Sequence, residues 1–394
     1  MKILHVINSV DPAGGGPIEG IKQIARCLQE SSANQIHVAS SDPPDADYVK
    51  DCPIPVFACG PGRFNYAFAP GLVKWLRRNH RNYDVVIVNG LWGYSGRAVH
   101  LALKGSSTPY VVFTHGMLDP WFKRTYPFKH LKKLLYWHFN EFRLLRNASA
   151  VLFTCEEERI LARQSFRAYD AAEYVIAYGT SDVCGDRATQ MAALGERFPE
   201  LKNKRLVLFI GRIHPKKGVD LVIESFARIM AGDPDWHLVI AGPDHVGLKN
   251  SLITLAGERN VSQRITWTGM LQGDLKWGAL HSAEVLLLPS HQENFGIVVA
   301  EALSCGVPTL ISNKVNIWRE VEQEGAGLVA EDTEEGACEL LQTWLALSEE
   351  ARRTMAANAR RCFIRRFEIH QTTAALTSLF AGLEAGPLPR YVQG

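Results

Sequence analysis

At 394 residues, with 46% hydrophobic and 21% charged content, the chain is globular material of a size that usually divides into two domains. A formal net charge of +2, from 43 basic and 41 acidic residues, excludes a chain-wide nucleic-acid footprint, so any basic surface has to be local. Eight cysteines with no Cys-x-x-Cys pair and no ligand-like spacing to histidine read as reduced thiols of a cytosolic protein, and no run reaches the roughly 18 uncharged apolar residues of a membrane span.

The opening Met1-Lys2-Ile3-Leu4-His5-Val6-Ile7-Asn8 is too short and too polar for a signal peptide and reads as a first strand. Asp11-Pro12-Ala13-Gly14-Gly15-Gly16-Pro17 follows, a glycine loop with Pro17 suited to a first helical position, opening a helix to about Gln29. Gly14-x-Gly16-x-x-Glu19 matches a dinucleotide fingerprint poorly: the third glycine is missing and the glycines begin six residues after Asn8. That argues against an NAD-dependent oxidoreductase, although Asp42 sits near the end of the second strand, Ile36 to Ala39. A helix around Leu72 to Asn79 and strands Val85 to Val88 and Tyr110 to Thr114 continue the alternation, which is that of an α/β fold with a mostly parallel sheet. Strand-like Tyr174 to Ala177 gives way to an irregular stretch over Gly179 to Arg197. A second series then runs Arg205 to Ile210, Trp236 to Ala241, Ile265 to Thr268, Val285 to Leu288 and Thr309 to Ser312.

This pattern predicts two doubly wound, Rossmann-like domains facing across a cleft, over residues 1–185 and 186–369, with a closing segment 370–394 crossing back to the first. Helical segments over Ala337 to Ala346, Glu350 to Arg366 and His370 to Leu383 are expected to brace them, and Gly386 to Gly394 to fray.

The densest chemistry lies in Pro289-Ser290-His291-Gln292-Glu293-Asn294-Phe295-Gly296-Ile297-Val298-Val299-Ala300-Glu301. Pro289 ends a buried strand, and Ile297 to Leu303 has helical spacing closed by Gly306 and Pro308, so Glu293 lies in a loop and Glu301 on a helix. Free amides around Gly296, Ile297 and Val298 make an anion site suited to a diphosphate. Beside such a diphosphate, carboxylates need hydroxyl partners, so Glu293 suits a sugar ring and Glu301 a ribose. Some 80 residues earlier, Gly211-Arg212-Ile213-His214-Pro215-Lys216-Lys217-Gly218 leaves another strand end. Arg212 and Lys217 should point toward the same crevice, where they would stabilise charge growing on a diphosphate leaving group.

Together, G-R-x-x-x-x-K-G, E-N-F-G-I-x-x-x-E and A-L-x-x-G-x-P resemble retaining glycosyltransferases of the GT-B fold, the family 4 group. The resemblance implies a nucleotide sugar held mainly by the C-terminal domain. It assigns Arg212 and Lys217 to the pyrophosphate, Glu293 to sugar hydroxyls, the amides of Asn294, Phe295, Gly296 and Ile297 to sugar and phosphates, and Glu301 to the ribose. The base would be held by backbone near Met270. Gly15 and Gly16 would approach the donor phosphate or acceptor, and His115, at the end of strand Tyr110 to Phe113, would contact the donor sugar. Trp92, Tyr94 and Asp119 lie on neighbouring loops where they would either shape an acceptor pocket or serve packing alone. Where the family often has P-N-G between domains, this chain reads Ala177-Tyr178-Gly179.

The segment Lys123 to Arg146 holds seven Lys or Arg against one acid, Glu141, with Leu131, Leu134, Leu135, His138, Phe139, Phe142 and Leu145 on one helical face. It reads either as a domain helix with a solvated basic side or as a surface for anionic lipid or a lipid-diphosphate acceptor; nucleic acid is excluded for want of a binding fold. The reading that unites these features is a metal-independent retaining hexosyltransferase. It would take glucose from UDP-glucose, with no further cofactor, to a glycan or lipid-linked hydroxyl. The expected place is the cytoplasm or the inner membrane face. A GDP-mannose-dependent mannosyltransferase and a non-catalytic nucleotide-sugar-binding module are the alternatives. One glutamate near the sugar does not make the carboxylate pair of a glycosidase; the family's account is front-face attack, with the departing phosphate taking the acceptor proton.

Overall fold

The computed structural model describes residues 1–12, 16–31, 34–125, 127–230, 232–386 and 388–393. The chain forms two compact units, Met1–Gly179 with Ile369–Gly394, and Thr180–Glu368.

In the first unit, β1 (Lys2–Ile7), β2 (Gln35–Ser40), β3 (Val56–Ala58), β4 (Val85–Asn89), β5 (Tyr110–Phe113) and β6 (Ala150–Phe153) precede a two-residue β7 (Asp170–Ala171) and β8 (Glu173–Val175). Seven of them pair in parallel in the order β3-β2-β1-β4-β5-β6-β8. The Val- and Ile-rich runs of β4, β5 and β6 are buried throughout, as strands covered on both faces must be. Chain order reverses between β1 and β4, which opens a crevice at the carboxyl ends of those strands.

The second unit repeats the plan with β9 (Arg205–Ile210), β10 (Trp236–Ala241), β11 (Ile265–Gly269), β12 (Ala283–Leu288), β13 (Thr309–Ser312) and β14 (Gly327–Ala330). Their order is β11-β10-β9-β12-β13-β14, all parallel, so the reversal falls between β9 and β12. The amphipathic helix Val219–Met230 buries Val222, Ile223 and Phe226, and Trp236 and Trp344 are each buried to within 1%. Apolar burial of this kind contributes about 1.5–3 kcal/mol per large side chain.

Three sequence expectations change here. The stretch before β9 is not irregular: Arg187–Arg197 is a helix, started by Asp186, whose carboxylate accepts the Thr189 N–H at 2.8 Å. Nor does the C-terminus simply fray. A final strand β15 (Tyr391–Val392) pairs antiparallel with β7, and the Arg390 guanidinium donates to Asp170 at 2.8 Å. Strands β3, β6 and β14, of three or four residues each, were not among those read from the sequence.

The basic segment also departs from its expected face. Helix Pro127–Tyr136 runs into a π-helical turn, Trp137–Glu141, then helix Phe142–Asn147. The wider turn rotates the register, so that Trp137, Asn140, Glu141, Leu144 and Leu145 turn inward. Phe128, Leu131, Leu135 and Phe139 are left 87%, 62%, 65% and 66% exposed, spaced three or four residues apart along one stripe.

Candidate functional site

In the second unit the loops leaving β9 and β12 are stitched together by backbone. Pro215–Lys217 makes a single 3-10 turn started by His214, whose Nδ1 accepts the Lys216 N–H at 3.1 Å. Gly218 closes it at φ 63°, and a Cβ there would stand 2.5 Å from the Pro289 carbonyl oxygen. Only glycine allows this approach. The His291 N–H then donates to the Lys216 carbonyl at 2.8 Å, and Lys216 Nζ donates to Gln292 Oε1 at 3.1 Å. From the other side, the Glu293 N–H donates to the Lys314 carbonyl at 2.9 Å and the Asn316 N–H to the Glu293 carbonyl at 3.0 Å.

Clamped in this way, the Glu293 carboxylate meets the Lys217 ammonium directly. Both side chains are largely buried. Burial, with the like charges of Arg212 and Lys216 nearby, pulls the Lys217 pKa from 10.5 down to about 8, while the Glu293 carboxylate works in the opposite direction. Arg212 itself is exposed beside this pair.

Directly after Glu293 and Asn294, Phe295 is buried edge-on against Phe367, and Gly296 at φ 75° turns the chain into helix Ile297–Ser304. Its N-cap is a glycine, which offers the leading amides no side-chain cap and suits them to an anion. One turn on, Glu301 Oε1 accepts from Lys276 Nζ at 2.7 Å; its Oε2 has no hydrogen-bond partner among the described residues. Met270, 64% exposed, follows Gly269 at the end of β11, two strands from β9. Arg212, Lys217, Glu293, Asn294, Gly296 and Ile297 thus collect at the switch point behind Gly211, with Glu301 and Met270 at its margins. Lys276 was not apparent from the sequence, where nothing marks it among the polar residues of Gly273–Ser282.

The first unit presents a different surface at its own switch point. His115, at φ 49° directly after β5, stacks on Phe113 at 5.3 Å and meets Tyr178 edge-on at 5.2 Å. Burial pulls its pKa down to about 4, so the ring is neutral at physiological pH. Its turn is fixed by Glu158, a buried carboxylate accepting from the Gly116 N–H at 2.6 Å, Thr114 Oγ1 at 2.5 Å, and Thr154 N–H and Oγ1 at 2.7 and 2.6 Å. The run Glu156-Glu157-Glu158 marked a helix start in the sequence without showing which carboxylate turns inward.

Trp92, at φ 66° after β4, is half-buried, with its indole Nε1–H donating to the Met117 carbonyl at 3.0 Å and the Lys133 ammonium 4.5 Å above its ring. Tyr94 is buried among Tyr66 and Phe68 and belongs to the core. Asp119 Oδ1 accepts the Trp121 N–H at 2.7 Å. Gly16 begins helix Gly16–Ser31 with open space where a Cβ would be, and Gly15 lies outside the described residues. Asp42 is occupied by Ser9 Oγ at 2.6 Å, the Val10 N–H at 2.8 Å and Tyr48 at 3.2 Å, a loop-fixing role that leaves no ribose ligand there.

Comparison with known proteins matches residues 194–362 to the model of glycosyl transferases group 1 and residues 15–179 to that of the glycosyl transferase 4-like domain. The chain is a group 1 glycosyltransferase of the family 4 type. A D-inositol 3-phosphate glycosyltransferase of Saccharomonospora viridis is 31% identical over 56% of this chain and 53% of its own. The chain thus spans about half the length of that relative and less of others of the same name. A GDP-mannose:cellobiosyl-diphosphopolyprenol alpha-mannosyltransferase of Xanthomonas campestris is 25% identical over 93% of both chains. Among solved structures, Anabaena HepE in complex with UDP and glucose superposes with a TM-score of 0.73 at 18% identity, over 97% of this chain and 100% of that one. The transferase therefore has the GT-B fold, two Rossmann-like units of seven and six parallel strands.

Two outcomes follow from the stitched loops. Gly218→Ala should cost about 1–3 kcal/mol, the range for forced backbone strain, and lower the thermal midpoint in calorimetry; an unchanged midpoint would mean that the two loops separate freely. Because burial lowers the Lys217 pKa to about 8, affinity for UDP-glucose at constant ionic strength should be level from pH 6 to 7. It should then fall about tenfold by pH 9. Lys217→Arg should flatten that profile.

Proposed function

We propose that this glycosyltransferase transfers glucose from UDP-glucose, with retention of configuration and without a metal ion, to a hydroxyl of a glycan or lipid-linked acceptor. The observation that carries the reading is the Lys217–Glu293 ion pair beside the uncapped helix end at the β9/β12 switch point. A diphosphate offers Lys217, Arg212 and the leading amides an anion, and a sugar ring offers Glu293 hydroxyls. Both members of the pair can therefore exchange each other for ligand without either being stranded in a dry site. On bond cleavage, negative charge grows on the departing phosphate, where the two cations stabilise it and the acceptor proton is delivered. Glu301 Oε2 is assigned to the ribose, the backbone near Met270 to the base, and His115 to a sugar hydroxyl.

UDP is favoured by the Anabaena neighbour and glucose by the breadth of the family. The full-length likeness to the Xanthomonas mannosyltransferase supports GDP-mannose as a second reading and a lipid diphosphate as the acceptor class. Comparing UDP-glucose with GDP-mannose hydrolysis separates the two donors, and hydrolysis of either excludes a binding module without catalysis.

No helix among the described residues is long and apolar enough to cross a membrane. The exposed stripe Phe128, Leu131, Leu135 and Phe139, with Lys132 exposed beside it, supports instead a peripheral attachment to an anionic membrane surface at the cytoplasmic face. Nucleic acid plays no part in this reading.

Glu301→Ala should weaken UDP binding by about 1.5–3 kcal/mol, the range for hydrogen bonds to charged groups; unchanged affinity in a folded variant would remove the ribose role. Arg212→Ala or Lys217→Ala should lower turnover at least about tenfold, since roughly 1.4 kcal/mol of lost stabilisation is one decade in rate, while EDTA should leave wild-type turnover in place. Complete loss under chelation would overturn the metal-free clamp. Leu131→Ser with Leu135→Ser should abolish sedimentation with phosphatidylglycerol vesicles without changing donor hydrolysis, whereas wild-type protein that ignores such vesicles at low salt would remove the membrane role.

A further inference from the structure

Three polar side chains form a chain across the first unit's switch point: His5 on β1, Asn89 at the end of β4, and His115 after β5. Asn89 Nδ2 lies 3.2 Å from the Ile87 carbonyl oxygen and 3.2 Å from His5 Nδ1, and Asn89 Oδ1 lies 3.3 Å from His115 Nε2. A carbonyl oxygen only accepts, so the amide nitrogen has to be the atom that faces Ile87.

The proton positions follow from that single assignment. Oδ1 also only accepts, so His115 carries its proton on Nε2. The second Nδ2 hydrogen points at His5 Nδ1, so His5 carries its proton on Nε2, a buried atom with no hydrogen-bond partner among the described residues. Burial keeps both rings neutral, with His115 drawn down to about 4 and His5, which also faces His115, to about 3. Neither ring can therefore escape the pattern by protonating near neutral pH. The stacked Phe113 and edge-on Tyr178 hold the His115 ring plane, and no described group is bonded to its Nδ1.

We propose that Asn89 is a positioning residue that locks His115 in the Nε2–H tautomer, so that the bare Nδ1 accepts a hydrogen bond from a hydroxyl of the transferred sugar. This rests on the assignment of His115 to the sugar. It has a consequence for specificity: the site selects a sugar that donates at that position and disfavours one carrying fluorine or an O-methyl group there, which can only accept. It also separates His115 from acid or base catalysis, since a ring with its pKa near 4 and its proton already committed to Asn89 neither supplies nor retains a proton during turnover.

The test reads tautomer and substrate recognition in parallel. Nitrogen-15 spectra of the histidine rings, with His115 assigned by its loss in His115→Gln, should show a single Nε2–H form between pH 5.5 and 8. Asn89→Leu should convert it to a mixture. A wild-type ring protonated on Nδ1 would overturn the proposal. In UDP-glucose hydrolysis, His115→Ala and Asn89→Leu should each raise KM about tenfold, one lost hydrogen bond's worth, with inhibition by UDP unchanged. A raised KM in His115→Ala beside a wild-type KM in Asn89→Leu would reject the positioning role alone, whereas an unchanged KM in His115→Ala would reject the sugar assignment beneath it. Should Asn89→Leu fail to fold, Asn89→Asp serves: its carboxylate should raise the His115 pKa well above 4, and a wild-type titration would count against the coupling.

Discussion

When two adjacent parallel strands send their following helices to opposite faces of a sheet, the loops between them diverge, and the space they leave is filled by whatever side chains those loops carry. In the second unit the loops after β9 and β12 carry Lys217 and Glu293, held by backbone hydrogen bonds on both sides. Two opposite charges in a largely buried crevice are tolerated because each satisfies the other. The same burial that brings them together depresses the Lys217 pKa, so the site is held at some cost in the absence of an anion. The uncapped helix Ile297–Ser304 adds a second unmet demand for negative charge within the same loop. Much of what is particular to this transferase, including the glycine at 218, the clamp from residues 313–316 and the buried Phe295 anchor, keeps those two demands side by side.

The first unit uses the same topology for a different purpose. Its switch point holds neutral polar groups, His5, Asn89 and His115 in one chain, beside the Glu158 carboxylate, which accepts hydrogen bonds from the His115 turn. A strained backbone at His115 is maintained by these buried networks, and that at Trp92 by the buried Glu141 carboxylate, which accepts the Trp92 N–H at 2.8 Å. The second unit's switch point therefore carries charge and the first unit's carries fixed hydrogen-bond geometry.

Much of this was visible in the sequence where the signal is local. The doubly wound alternation, the loop position of Glu293, the helical position of Glu301 and the strand-end position of Arg212, Lys217 and His115 all follow from apolar runs punctuated by glycine and proline. What stayed hidden depends on distances through space. The Lys217–Glu293 and Lys276–Glu301 pairs join residues 76 and 25 positions apart, and no pattern in the chain marks them. Asn89 and Glu158 look like ordinary polar residues until the sheet brings them beneath His115. The basic segment was left between two readings in the sequence, because whether Leu131, Leu135 and Phe139 pack inward or stand exposed depends on the π-helical turn at Trp137–Glu141, which no local pattern marks. For Tyr94, left between acceptor contact and packing in the sequence, the structure shows an aromatic packed into the core.

The central claim is that a nucleotide sugar takes over the Lys217 charge from Glu293 in the second unit. Calorimetric titration of UDP-glucose at pH 8, in two buffers of different ionisation enthalpy, tests it most directly because it reports binding and proton movement together. With burial lowering the Lys217 pKa beforehand and a diphosphate raising it again, the account predicts saturable binding with net proton uptake. Saturable binding with no proton uptake, or no binding of UDP-glucose at all, would contradict it.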